Sequence, residues 1–566
     1  MDPATGDIYG VNNDTMNWLP VFGRDQEGDV VPKRKIQTPH TTFGIVADEA
    51  EQELFLTIQD DHAVVVYNKE AKDEDSPVRI LQGGKTLMAD PHGIALDTKK
   101  REIYVSNWGT NNERPPLSEG GGGDARHERK DFPVGRARAF PGSGKIQPPS
   151  ITVYPKKAQG DTAPLRVIQG PKTQMDWPTA LAFHPERNEL FIANDTADSV
   201  IVFRGDANGD VAPIRVIKGP KTMVKNPTGV AIDLTTNELW VANFGNHSAT
   251  VFAIDADGNA TPKRVIRGGP TSAPAPKLAN AHTTAYDSKR EEILIANCVG
   301  HPQVAAFSRT ATGGAQPTRE IAGQNTLFTR TMHDMAYDWV ADEIVVPQFF
   351  AFAILTFAGD ANGNVPPKRK IFGPKTRLDN PHAVSVDPVH GELFVPGRAD
   401  DHTVLVFPRE ANGDVAPIRV LETDREPARV ALDPPRNLLI VSGGRSLRIY
   451  DRRASGKTPP LRVIDMPASM GQRSTGLMTV NPENGTVFVS VGGGGRFALE
   501  DFVGVWSVED KGEVVPRWTI GGPNNSLKDI RGVAIDIRNK NVIVTDKELN
   551  AILTFHVPEA FEAQAR

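Results

Sequence analysis

Apolar and polar positions along this chain alternate in short runs, each run ended by glycine, proline, asparagine or aspartate, which is a pattern of strands and tight turns. One stretch shows the plan. Pro227-Thr228-Gly229-Val230-Ala231-Ile232-Asp233 is small and β-branched almost throughout and predicts an inner strand buried on both faces. Glu238-Leu239-Trp240-Val241-Ala242-Asn243 and Ser248-Ala249-Thr250-Val251-Phe252-Ala253-Ile254 predict a second and a third strand. Pro262-Lys263-Arg264-Val265-Ile266 predicts a fourth. It is the most polar and opens on a proline, as an outer edge strand does. No helical period appears in the unit.

The plan repeats. Gly205-Asp206-Ala207-Asn208-Gly209-Asp210-Val211-Ala212-Pro213-Ile214-Arg215-Val216-Ile217 returns at 360–371 and 410–421, with weaker copies around Gly28, Asp73, Gly160, Gly258, Gly313, Gly456 and Gly512. Its arginine recurs at Arg34, Arg79, Arg166, Arg264, Arg319, Arg369, Arg419 and Arg462. The spacing is about 50 residues, the size of a propeller blade. First strands fall near residues 43, 92, 179, 228, 282, 333, 382, 429, 475 and 531. The N-terminal stretch supplies strands two to four of another unit, and the C-terminal stretch strands one to three. A four-stranded sheet that cannot bury both faces alone must stack on its neighbours. The expectation is an all-β fold, a β-propeller of ten to eleven blades. Two tandem rings of five or six blades are expected, with one large ring as the alternative. The proline-rich link Arg267 to Ala281 sets the boundary: a first propeller over 1–275, interrupted by an insertion at 108–150, and a second over 276–566. Strands from the two termini are expected to share one blade.

The 566 residues hold 64 lysines and arginines against 70 acids and no long run of one sign, which argues against a nucleic-acid footprint. A single cysteine, Cys298, excludes an intrachain disulfide and a CxxC metal or haem site; beside Ile295-Ala296-Asn297 it reads as an apolar packing residue. No apolar run is long enough for a membrane span. The chain opens in mid-repeat, so an upstream segment, processed off, is one reading, and a bacterial exported protein, periplasmic or extracellular, the expectation. The Asp-Ala-Asn-Gly-Asp turns lack the glycine and glutamate of an EF-hand loop and read as hairpin turns. Asn107, Asn194, Asn243 and Asn297, ending second strands, read as caps for loop backbone.

The wording Pro-x-Gly-Val-Ala-Ile-Asp followed by Glu-Leu-Trp-Val-Ala-Asn, as at 227–233 and 238–243, resembles NHL repeats, which implies a propeller used by binding proteins and enzymes alike. Pro91-His92-Gly93-Ile94-Ala95-Leu96-Asp97 and Pro381-His382-Ala383-Val384-Ser385-Val386-Asp387 further resemble the peptidyl-hydroxyglycine lyases, whose central metal is held by histidines at the start of inner strands. His282 and His333 occupy the same slot, five residues before Asp287 and Asp338. Those lyases carry disulfides, which this chain cannot form, and take their ligands from spaced blades rather than successive ones.

Propeller topology places this slot at the channel mouth, on the face that also carries the 108–150 insertion. There His282, His333 and His382 are the candidate ligands of one divalent transition metal, zinc first. His92, Arg531 and His40 are candidate ligand-binding residues, Arg531 for an anionic group. Against this stands a plainer reading, in which such a histidine hydrogen-bonds the backbone of the neighbouring blade. Two functions follow: a scaffold binding a protein or small ligand through its loop-bearing face, or a metal-dependent lyase or hydrolase at the histidine mouth.

Overall fold

A computed structural model describes residues 5–11, 18–39, 41–113, 140–267, 278, 281–297, 302–397, 402–470, 474–492, 501–521 and 527–562. The chain is a multi-bladed β-propeller of antiparallel sheets. It divides into two compact units: Met1–Phe140 with Ile146–Ala275, and Pro141–Lys145 with Pro276–Arg566. The first unit holds blades 1 to 5 and the second blades 6 to 11, numbered in chain order.

Blade 4 shows the common plan. Pro178–His184, Glu189–Asn194, Ser199–Arg204 and Arg215–Lys218 pair in sequence order from the inside out. The second and third strands are buried on both faces, apart from Arg204 at the end of the third. Each joint between blades is an apolar sandwich. Phe191, Val200, Val202 and Ile217 of blade 4 meet Leu239, Val241, Phe252 and Ile254 of blade 5.

In the second unit these joints close a ring. Blade 9 packs on blade 10 through Ile440, Ile449, Val487 and Val489. Blade 10 packs on blade 11 through Phe488, Val505, Val533 and Val544, and blade 11 on blade 6 through Ala534, Ile543, Ile293 and Ile295. In the first unit the joints run from blade 1 to blade 5, and none returns from blade 5 to blade 1 among the described residues. Among the described residues the strands of the two termini form separate sheets rather than one shared blade. Ile8–Tyr9, Trp18–Phe22 and Arg34–Gln37 form one sheet, and Ile530–Asp536, Asn541–Asp546 and Ala551–His556 another.

Both phrases that mark the repeat have structural work within and between blades. The recurrent arginine grips the glutamate that opens strand two of its own blade: Arg79 on Glu53, Arg166 on Glu102, Arg215 on Glu189, Arg369 on Glu343 and Arg419 on Glu392. The Asn-Gly-Asp turn is more than a hairpin. Its glycine pairs in parallel with strand four of the preceding blade, as Gly209 does with Ile168, Gly258 with Ile217 and Gly413 with Ile371. Around it, the Asp210 Oδ1 accepts the Lys172 N–H at 2.8 Å, and the Asn208 Oδ1 accepts that of Val167 at 3.1 Å. Each turn is thus a clasp between neighbours.

Burial raises the Glu189 carboxyl, but the hydrogen bonds from Arg215 and Arg187 overcome it and hold the group at about 2. A carboxylate depressed in the folded state contributes stability that is present above its unfolded value and lost as pH falls through the folded one. Thermal melting from about pH 7 to about pH 2 is therefore expected to show stability falling below about pH 4.5. Arg215→Ala is expected to cost about 2–3 kcal/mol near neutrality and to flatten that acid slope. A slope unchanged in the variant would remove the pair from the balance.

Candidate functional site

The slot residue at the start of strand one is displaced from the ladder by a β-bulge. In blade 6, Ala281 pairs with Asn297 and Thr283 with Ala296, so His282 is the extra residue. Arg531 is the extra residue of blade 11, between Ile530 and Gly532. Bulges re-aim side chains in this way at barrel and propeller rims. The bulge is anchored by a hydroxyl on strand two. Thr545 accepts the Gly532 N–H at 2.8 Å and donates to the His282 carbonyl of the neighbouring blade at 3.4 Å. Ser106 does the same for Gly93 and Thr179, at 2.8 and 2.7 Å.

Blades 7 and 8 depart from this. Their inner strands shrink to Ala336–Asp338 and Ser385–Asp387, against Ala281–Asp287 in blade 6. His333 and His382 stand on the irregular backbone ahead of them. Asp334 replaces the missing ladder. Its carboxylate accepts the N–H of Met335 at 2.9 Å and of Val384 at 3.3 Å, and the Thr283 hydroxyl at 3.2 Å. One side chain therefore ties three blades.

The three histidines lie side by side. His282 Nδ1 is 3.0 Å from the His333 carbonyl and donates to it. His333 Nδ1 and His382 Nδ1 are also 3.0 Å apart, so one of the two carries the proton. The His282 and His333 rings stack at 4.3 Å between centroids, and Phe349 meets His382 edge-on at 4.5 Å. For His282 the plainer reading holds: it bonds a neighbour's backbone. Lone pairs lie in the ring plane, so stacked rings direct them alongside each other rather than to one point. Among the described residues no group of three or more histidine, cysteine or acidic side chains is arranged to hold a metal.

Cationic groups stand near His282. Burial first, then the charges of Arg531, Arg429 and Lys547, push His282 well below its ordinary value, so it is neutral near pH 7. Arg429 donates from Nη1 to the Ala428 carbonyl at 2.7 Å, while its buried Nε has no partner. Arg531 donates to Asp529 at 3.1 Å, and its Nε is likewise buried without one. Burial lowers the Arg429 guanidinium and so does the like charge of Arg531, while Asp334 acts the other way. Burial raises Asp334 to about 6 against the pull of Arg429 and its three hydrogen bonds.

Sequence reasoning missed both Arg429 and Asp334. Counting five back from Asp433 gives Ala428, but Arg429–Asp433 pairs with strand two without a bulge, and the inward residue moves by one. The missing glycine in Ala428-Arg429-Val430-Ala431 was the available signal.

His92 belongs to the first unit. It stacks on Trp108 at 3.7 Å, faces Phe43 at 4.2 Å, lies 3.7 Å from Asp90 and contacts Gln59. It is 1% exposed and fills its position as part of an aromatic stack that continues to Trp177. His40, Cys298 and residues 114–139 of the insertion lie outside the described residues. Asn107, Asn194 and Asn243 do cap loop backbone, accepting the N–H groups of Ala89, Asp176 and Lys225.

Residues 144–326 match the model of the lactonase family, a seven-bladed β-propeller. The match covers about a third of the chain and contains His282 but none of His333, His382, Arg429 and Arg531. No curated protein matches the chain. No helix among the described residues is long and apolar enough to cross a membrane.

Proposed function

We propose that the protein is a ligand-binding propeller, and that the channel mouth of its six-bladed unit takes a small ligand bearing a carboxylate or phosphate. The supporting observation is Arg429. Among the described residues its guanidinium makes one hydrogen bond and keeps a buried Nε unpaired, and it stands near Arg531 with Asp334 as the buried counter-charge. A guanidinium in this state binds an oxyanion through paired N–H donors, which satisfies the buried donor and the local charge together. His282 stays neutral beside it and adds polarity without charge. Lactone hydrolysis yields a hydroxy acid, so the likeness to lactonases makes hydroxy acids and their lactones the first probes after phosphate and acetate. Calorimetric titration of the full chain with each probe tests the reading, saturable one-site binding being expected. The absence of saturable heat with all of them would remove it.

The sign of the pH dependence follows from Asp334. Its raised carboxyl is ionised above about 6 and then offsets the arginines. Below that it is neutral, and the site gains net positive charge. Anion affinity is expected to rise severalfold from about pH 7.5 to about pH 5, and to be nearly flat in Asp334→Asn. An affinity that falls on acidification would contradict this.

A metal-dependent lyase or hydrolase is the second reading, favoured by three imidazoles sharing one mouth. Elemental analysis of wild type and His333→Ala separates the two. About one zinc, copper, iron or nickel per chain, lost in the variant, would favour it, and no metal in either protein would end it.

A further inference from the structure

We infer that the Asn-Gly pairs at 208–209, 362–363 and 412–413 are latched modification sites. Each asparagine is converted to aspartate or isoaspartate when the joint between its blade and the preceding one opens, and is held unreactive while that joint is closed.

The reaction needs only water. The glycine nitrogen gives up its proton and attacks the asparagine Cγ, ammonia leaves, and a five-membered succinimide forms. Water then opens the ring at one carbonyl to give aspartate, or at the other to give isoaspartate. Glycine is the following residue that permits this most readily, since no Cβ shields its nitrogen. Asn208, Asn362 and Asn412 are all exposed, so water reaches them.

What the clasp controls is orientation. One residue of the preceding blade holds both reacting groups. The Val167 carbonyl accepts the Gly209 N–H at 2.7 Å, while the Val167 N–H donates to the Asn208 Oδ1 at 3.1 Å. Glu320 holds Gly363 at 2.6 Å and Asn362 at 3.2 Å in the same way, and Lys370 holds Gly413 at 2.7 Å and Asn412 at 3.0 Å. Attack requires the nitrogen lone pair, perpendicular to the peptide plane, to face Cγ. A peptide plane pinned through its N–H to the preceding blade cannot turn, and a side-chain amide pinned through Oδ1 cannot follow it. Opening of the joint frees both, so conversion is fed by the open population and drains it irreversibly.

Blade 5 shows which product is tolerated. Asp257 stands there in place of the asparagine. Its Oδ1 accepts the Val216 N–H at 2.9 Å, and Gly258 keeps its bridge to Ile217. Aspartate therefore preserves the clasp. Isoaspartate routes the main chain through Cβ and Cγ, which adds a methylene ahead of the glycine and moves it out of register with Ile168, Ile321 or Ile371. A joint so altered does not close again.

Peptide mapping by mass spectrometry of the full chain, held at neutral pH either folded or in denaturant, tests this. The folded wild type is expected to retain Asn208, Asn362 and Asn412, and the denatured chain to lose them. Asp210→Ala removes the contact to Lys172 from an exposed position, loosening the clasp of blade 4 on blade 3. It is expected to raise conversion at Asn208 severalfold. Asp414→Ala, which removes the matching contact to Lys375, is expected to do the same at Asn412. Asn484 is the reference in both, because the glycine of its Asn-Gly turn is held by the Asn481 carbonyl of its own blade. Refolded chains carrying isoaspartate at 208 are expected to melt below Asn208→Asp. Equal conversion in folded and denatured wild type, a variant that leaves the rate at its own turn unchanged or raises Asn484 equally, or isoaspartate chains that melt with Asn208→Asp would each overturn the inference.

Discussion

Arg429→Ala is expected to weaken anion binding by the full chain on the order of a hundredfold, about 2–3 kcal/mol, read by calorimetry with phosphate or a hydroxy acid. The magnitude is that of charge-assisted hydrogen bonds lost from a poorly hydrated site. The variant is not expected to unfold. Arg429 lies near Arg531, burial already disfavours its charge, and its one hydrogen bond is to the adjacent Ala428 carbonyl. Removing it relieves the repulsion from Arg531 but takes the counter-charge from Asp334, so the melting midpoint should change little near pH 5, where Asp334 is neutral, and fall somewhat near pH 7.5, where it is ionised. Arg429→Lys keeps the charge but not the paired donors, and should recover only part of the loss. Arg531→Ala should cost less, because Asp529 already engages that side chain. Equal affinity in wild type and Arg429→Ala would remove Arg429 from the site.

Gly93→Ala and Gly229→Ala are expected to differ by about 3 kcal/mol or more, although the two glycines occupy the same place in the repeat. A Cβ on Gly93 would lie 2.3 Å from the Thr179 carbonyl oxygen and 2.9 Å from both the Ala180 Cα and the Leu181 nitrogen. All three are backbone atoms of the adjoining inner strand, which cannot swing aside as a side chain would. The blade 3–blade 4 joint must open, with loss of contacts among Tyr104, Ile151, Leu190 and Ile192. At Gly229 the nearest atom is the Ala242 Cβ at 3.2 Å. There the substitution should be near neutral, and the lower chain entropy of alanine in the unfolded state could even favour it by up to about 1 kcal/mol. Chemical denaturation of both variants measures the difference. Equal costs would mean that the face of blade 5 is covered as blade 3's is.

The propeller was legible because its signals are local: alternation inside strands, Asn-Gly turns, and a proline before each outer edge. The partners of those signals were not. The recurrent arginine and the strand-two glutamate were both visible, but their pairing spans three strands, as in Arg215 with Glu189. The Asn208-Gly209-Asp210 turn reads as a hairpin within blade 4, and only stacking reveals that it clasps blade 3. Slot counting put His282, His333 and His382 on successive inner strands, and they do lie side by side. It could not foresee that His282 spends Nδ1 on the His333 carbonyl, or that His333 and His382 share a proton. It put His92 in the same class, although that side chain is packed among Phe43 and Trp108. Arg429 was hidden by a register change of one residue, and Asp334 because it stabilises irregular backbone that no repeat pattern announces.

Crystals of the full chain grown with bromide, and anomalous maps calculated at its absorption edge, bear most directly on an anion site at the mouth of the six-bladed ring. The expected result is a bromide peak between the Arg429 and Arg531 guanidinium groups, absent in Arg429→Ala crystals. Peaks confined to surface lysines, with none at that mouth, would contradict it.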